Sequence, residues 1–223
     1  MDVWNYMVNN AARCLALTLE HMWIVGVACT LAILIGVPIG VAITRNKSLA
    51  NKVIGTANIF MTTPSIALFG IMIPILSPFG YGLGKVPAIV ALVLYSQLPI
   101  IRNTYVAIKN VPPELVDAGK GLGMSSWRRL REIEIPLAIP VIIAGLRTAA
   151  VMSIGIAAIA AYIGAGGVGG LIQQGIGRSY APMILTGAIL VSVLAIFVDA
   201  FMAGLEYLVT PKGIKVGRRL RHG

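Results

Sequence analysis

Five apolar runs, each near the length a helix needs to cross a bilayer, constrain this chain more than any other feature. They cover approximately residues 22–44, 54–76, 86–108, 136–163 and 183–209. A run of about 20 mainly apolar residues spans roughly 30 Å of hydrocarbon as an α-helix. Lipid offers no hydrogen bonds, so each backbone group must be satisfied within its own segment, which selects the helix. Composition agrees: 57% of residues are hydrophobic and 12% charged, with a mean hydropathy of +0.87, whereas soluble domains carry about 25% charge. The expected fold is all-α and integral to a membrane, with about five transmembrane helices in one domain, residues 1–223.

Pro38, Pro64, Pro74 and Pro99 fall inside these runs. Bundles tolerate interior prolines, so kinked helices are expected. "GVPIG", Gly36 to Gly40, has the spacing of small residues that lets two helices approach closely. Lys and Arg favour the cytoplasmic side. With the N-terminus outside, thirteen basic residues fall inside: Arg45, Lys47, Lys52, Lys109, Lys120, Arg128, Arg129, Arg131, Lys212, Lys215, Arg218, Arg219 and Arg221. Only Arg13, Lys85 and Arg178 then lie outside, and Arg102 and Arg147 sit within spans. This predicts an outside N-terminus and an inside C-terminus. Trp4, Met7, Val8, Ala11, Leu15 and Met22 recur at helical spacing, so residues 1–20 read as an outer interfacial helix rather than a cleaved signal. The net charge of +10 follows from topology, and the basic tail 210–223 suits anionic lipid; no motif points to nucleic acid.

Several chemistries are excluded by what is missing. There is no G-x-x-x-x-G-K-[ST] loop for nucleotide phosphates. The only histidines, His21 at a membrane edge and His222 in the tail, are too few for a metal cluster or a catalytic triad. No catalytic residue is assigned, and no cofactor is expected on this chain. "GAGGVG", Gly164 to Gly169, follows a membrane helix rather than a strand and reads as an outer turn. Cys14 and Cys29 are packing residues.

Between the third and fourth runs the chain turns polar and patterned: "VPPELVDAGKGLGMSSWRRLREIEIP", residues 111–136. Pro112 and Pro113 can start a helix, and Glu114 and Asp117 place negative charge near its positive end. Leu115, Ala118 and Leu122 line one face. Gly119, Gly121 and Gly123 weaken the helix and permit a bend, after which Ser125 or Ser126 can cap a second one. There Trp127, Leu130 and Ile133 recur three apart, Arg128, Arg129, Arg131 and Glu132 take other faces, and Pro136 limits extension. An apolar ridge flanked by arginines suggests docking onto a soluble partner.

These residues carry a family resemblance. From Asp117 the chain reads "DAG", three residues, Gly123, nine residues, then "IEIP" ending at Pro136. This resembles the cytoplasmic loop of ABC importer permeases, E-A-A, three residues, G, nine residues, I-x-L-P, with Asp117, Gly119 and Ile135 as departures. "TTPSIALFGIMIPIL", "YSQLPIIRNTYVAI", "LRTAAVMSIGIAAIAAYIGAGGVG" and "VDA" are similar to permeases for glycine betaine, choline and carnitine, more than to the methionine branch that shares the five-span plan. The resemblance implies a loop that seats on a separate ATP-hydrolysing cassette, which holds the ATP and Mg. It places the contact over Gly119 to Arg129, including Met124, with Glu114, Asp117, Ala118, Ile133 and Pro136 completing the loop. It further implies an extracytoplasmic solute-binding protein and a second permease subunit, identical or paralogous. A methionine-type permease, a channel acting alone and a membrane enzyme are the alternatives.

Polar groups at membrane depth are costly, so Thr62, Thr63, Ser65, Tyr95, Ser96, Gln97 and Asn103 should face protein or a wet pathway. Each is also explained by an interhelical hydrogen bond. Tyr95 and Tyr162 can offer π faces to a quaternary ammonium, or serve packing. Arg147 lies eleven residues in from Pro136 and Asp199 eleven back from Thr210, each roughly 16 Å from the same edge. Their equal depth predicts an ion pair; snorkelling of Arg147 beside a wet Asp199 is the alternative.

Overall fold

The structure is a computed structural model and describes residues 2–210. Ten α-helices follow in order: α1 Val3–Asn9, α2 Ala11–Ala42, α3 Lys47–Thr62, α4 Ser65–Leu76, α5 Lys85–Lys109, α6 Pro113–Gly121, α7 Ser126–Arg129, α8 Ile135–Ile159, α9 Gly169–Gly177 and α10 Ala181–Val209. Among the described residues, Ala11–Arg45, Lys85–Lys109, Ser126–Ile163 and Ala181–Val209 are long and apolar enough to cross a membrane, and α3 with α4 passes the same test only as a bent pair, a broken span or a re-entrant loop. The basic tail lies outside the described residues, apart from Thr210.

Proline acts differently at each position. Pro38, Pro74 and Pro99 stay within α2, α4 and α5. At Pro64 the preceding Thr63 is extended, with ψ 131°, and the chain bends by 102° between α3 and α4. A residue before proline is driven out of the helical region, and here nothing restores the lost turn. The second apolar run is therefore two helices, not one kinked helix.

Two further boundaries differ from the sequence reading. Residues 11–20 belong to the membrane-length α2, with only Val3–Asn9 forming a separate short helix, because no breaker separates Ala11 from the first apolar run. Pro136 does not end α7. The chain passes through a π turn, Leu130–Glu134, straight into α8. A proline removes one backbone donor and crowds the carbonyl four residues back, and a widened turn directly before it leaves room for that ring.

α5 forms the centre of the bundle, packed between α2 and α8, with α10 beyond α8. Lipid tails are as apolar as leucine, so helix association depends on close contact rather than on burial from water. Small residues provide that contact. A Cβ on Gly36 would lie 2.8 Å from Ile100 Cγ2, one on Gly40 2.6 Å from Thr104 Cβ, and one on Gly145 2.9 Å from the Pro99 carbonyl. The "GVPIG" spacing on α2 is thus the face that meets α5. Toward the end of the bundle away from the loop between α5 and α8, Ile24, Phe69, Leu92 and Ile154 belong to the largest apolar cluster among the described residues.

Candidate functional site

The segment joining α5 to α8 folds much as its residues dictate. Pro112 and Pro113 open α6, with Glu114 in its first turn. Asp117 pairs with Lys120 at 2.7 Å. Gly123 takes φ +73°, a conformation that costs other residues about 1–2 kcal/mol. Its N–H donates to the Lys120 carbonyl, and that of Met124 to the Gly119 carbonyl at 3.0 Å. Ser125 caps α7 by accepting from the Arg128 N–H. Arg128 then reaches Glu132 one turn on, at 3.1 Å to both oxygens, and Arg129 donates back to the Met124 carbonyl.

The ridge expected from Trp127, Leu130 and Ile133 does not exist as one surface. Leu130 is buried against Ala107, Ala138 and Ile142, whereas Trp127 stays 68% exposed. Three-residue spacing places residues on one face only in a regular helix, and the chain here enters the π turn at Leu130. The exposed apolar surface is instead Trp127 together with Leu122, 82% exposed, and Leu115. Leu115, Leu122, Ile133, Pro136 and Leu137 border a groove of about 370 Å³ beside them. Gly119 is buried beneath: a Cβ there would sit 2.8 Å from Ile133 Cδ1 and 3.2 Å from Arg129 Cδ. Its role is close approach of α6 to the π turn, and the bend itself belongs to Gly123.

Arg147 on α8 and Asp199 on α10 meet. Nε and Nη2 donate to the two carboxylate oxygens at 2.5 and 2.6 Å. Glu206, seven residues beyond Asp199, stands 3.8 Å from Nη1. Sequence reading missed Glu206, although seven residues is two helical turns and puts both acids on one stripe. With Ala144, Thr148, Val151 and Met152 the three charged groups line a groove of about 490 Å³.

Most of the polar residues read as pathway candidates serve the bundle itself. Tyr95 is buried and its hydroxyl donates to the Thr63 carbonyl, tying α5 to the α3–α4 break, so it presents no open π face. Gln97 is buried and donates to the Val93 carbonyl. Ser96 joins the Leu92 carbonyl and Ser153, and Asn103 donates to the Pro99 carbonyl. Thr62 and Thr63 bond back to Ile59. Thr62 and Tyr162 are exposed, and Ser65 is half-buried.

The opposite end of the bundle carries a clasp that sequence reading did not find. Glu20 pairs with Lys85 at 2.7 Å and accepts the Gly167 N–H at 2.9 Å, linking α2, α5 and the glycine turn after α8. Gly166 and Gly167 both have positive φ, so "GAGGVG" is a turn that turns backbone donors toward a carboxylate. Beside it His21 is fully buried, its Nε2 donating to the Ile154 carbonyl at 3.0 Å.

Membrane-length helices interrupted by one structured loop with exposed apolar residues define a membrane component. Residues 15–210 match the family described as the binding-protein-dependent transport system inner membrane component, and the chain belongs to that family. It is similar to the osmoprotectant import permease protein OsmW of Salmonella typhimurium, 52% identical over 96% of this chain and 100% of the relative. It is also similar to the glycine betaine/carnitine/choline transport system permease protein OpuCB of Bacillus subtilis, 47% identical over 96% of each chain. A chain of the MetNI methionine ABC transporter in an inward-facing conformation superposes with a TM-score of 0.80 at 25% identity, covering 92% of this chain and 98% of that one.

Proposed function

We propose that this chain is the membrane-spanning permease subunit of an ATP-driven importer for compatible solutes such as glycine betaine, choline or carnitine. The observation that carries the reading is the exposed pair Leu122 and Trp127 on an ordered loop, in a chain whose relatives serve those solutes. The loop seats on a separate cassette ATPase, which binds ATP and Mg, while this chain hydrolyses nothing. The N-terminus is outside and the loop cytoplasmic. Two such chains, identical or paralogous, enclose the pathway, and an extracytoplasmic binding protein delivers solute. Closure of the ATPases draws the two loops together and tilts the bundles to open outward; hydrolysis resets them.

The test is purification of the full chain with its cellular partners, followed by uptake of labelled glycine betaine, choline and carnitine against labelled methionine. An ATPase should co-purify, and Trp127→Ala should remove it while the chain still reaches the membrane. Uptake at full rate without any ATPase, or uptake of methionine alone, refutes the reading.

A further inference from the structure

We infer that the basic groove between α6 and the ends of α2 and α5 holds the phosphate of an anionic phospholipid headgroup, an assignment independent of which solute the chain carries. Arg45 closes the apolar stretch Ala11–Arg45, and Lys109 closes Lys85–Lys109. With Lys120 on α6 and Arg129 on α7 they line one groove of about 470 Å³. The groove therefore stands where two membrane-length helices end, which is the level of the lipid headgroups.

The donors of this groove are only partly spent. Arg45 and Lys109 are exposed and take part in no ion pair among the described residues. Lys120 gives one of its three N–H donors to Asp117. Arg129 donates from Nη1 to the Met124 carbonyl and from Nη2 to Ser126 Oγ, and its Nε is buried without a partner among the described residues. Asp117 and Glu134 are the opposing carboxylates in the lining, so four cations against two anions leave a formal net charge of +2.

A phosphate diester suits this donor set. It keeps a full negative charge, offers oxygens to several donors at once and accepts a forked guanidinium. Carried by a lipid, it is also concentrated at the level where Arg45 and Lys109 lie. Bound there, one headgroup ties the cations of the bundle, Arg45 and Lys109, to those of the loop, Lys120 and Arg129. The volume falls within the range of small-molecule sites, about 300–1,000 Å³. Leu122 and Trp127 are not part of the lining, so the lipid and the docking partner use different surfaces of the loop.

Hydrogen exchange of the full chain in lipid nanodiscs tests this. Replacing part of the phosphatidylcholine by phosphatidylglycerol should slow exchange across residues 113–129, because a bound headgroup stabilises the loop against opening. Arg45→Gln should raise the phosphatidylglycerol fraction needed for half of that effect about fivefold. Adding Lys109→Gln should abolish it, whereas Arg45→Lys with Lys109→Arg should retain it. Lys212→Gln with Lys215→Gln, in the basic tail, should leave it intact, and millimolar inorganic phosphate in pure phosphatidylcholine should give none of it. No slowing by phosphatidylglycerol, slowing that survives both Gln substitutions, or its loss in the charge-keeping or tail variant overturns the inference. Slowing by inorganic phosphate alone assigns the groove to a free anion and overturns the lipid source. None of these readings depends on uptake, so the function proposed above stands or falls separately.

Discussion

Arg147 and Asp199, separated by 52 positions in the chain, meet through two hydrogen bonds of 2.5 and 2.6 Å. Removing Arg147 takes its counter-charge from Asp199 and Glu206 at membrane depth, whereas removing Arg147 and Asp199 together takes it only from Glu206. Arg147→Leu alone should therefore lower the amount of folded protein in the membrane more than Arg147→Leu with Asp199→Leu. Fluorescence-detected size exclusion of the two variants checks the order.

A Cβ on Gly119 would meet the end of the Ile133 side chain at 2.8 Å and the middle of the Arg129 side chain, Cδ and Cγ, at 3.2 and 3.3 Å. Gly119→Ala gains helix propensity of about 1 kcal/mol and meets a methyl group that can move, so the melting temperature should stay close to that of the parent. Gly119→Leu must push α6 away from the π turn. It should lose the co-purifying ATPase while remaining in the membrane fraction, which a pull-down reads directly.

Gly123 differs, because its constraint is φ +73° rather than space; a Cβ there meets nothing within 4 Å. Gly123→Ala should cost about 1–2 kcal/mol locally and should unwind the link between α6 and α7 without disturbing the spans. Faster proteolysis within residues 119–126, with unchanged global melting, is the expected result.

Gly40 packs on Thr104, and a Cβ would lie 2.6 and 2.8 Å from that side chain and 3.0 Å from the Ile101 carbonyl. Gly40→Leu should destabilise by about 1–3 kcal/mol through overpacking. Gly26, with nothing within 4 Å, should accept Gly26→Leu with little effect. Thermal melting of both variants in the same detergent makes the comparison.

Glu20 holds both Lys85 and the Gly167 N–H, so Glu20→Ala should be more damaging than Lys85→Ala. A double-mutant cycle should give about 0.2–1 kcal/mol for the pair, falling as salt rises because Lys85 is solvent-accessible. A larger coupling that ignored salt would contradict this account.

Much was legible in the residues because the physics involved is local. Run length set the spans, the Gly36 and Gly40 spacing set one packing face, and the equal depth of Arg147 and Asp199 brought them together. The breaks were harder. Four prolines look alike in sequence, yet only Pro64 divides its run, since whether a bundle supports the freed backbone depends on its neighbours. Polar residues were harder for the same reason: Tyr95 and Gln97 are polar at membrane depth whether they line a cavity or bond to backbone, and only their surroundings distinguish the two.

By itself the sequence determined a helical membrane chain, its apolar runs and a structured loop between α5 and α8. Those follow from hydropathy, period and turn chemistry, which act over a few residues. The tertiary structure alone decided that α5 lies central, that Leu130 turns inward while Trp127 stays outside, and that Glu206 joins Arg147 and Asp199. It also decided that Glu20, Lys85 and Gly167 meet. Each joins residues distant in sequence or depends on how one helix is rotated against another, and no local pattern encodes that rotation.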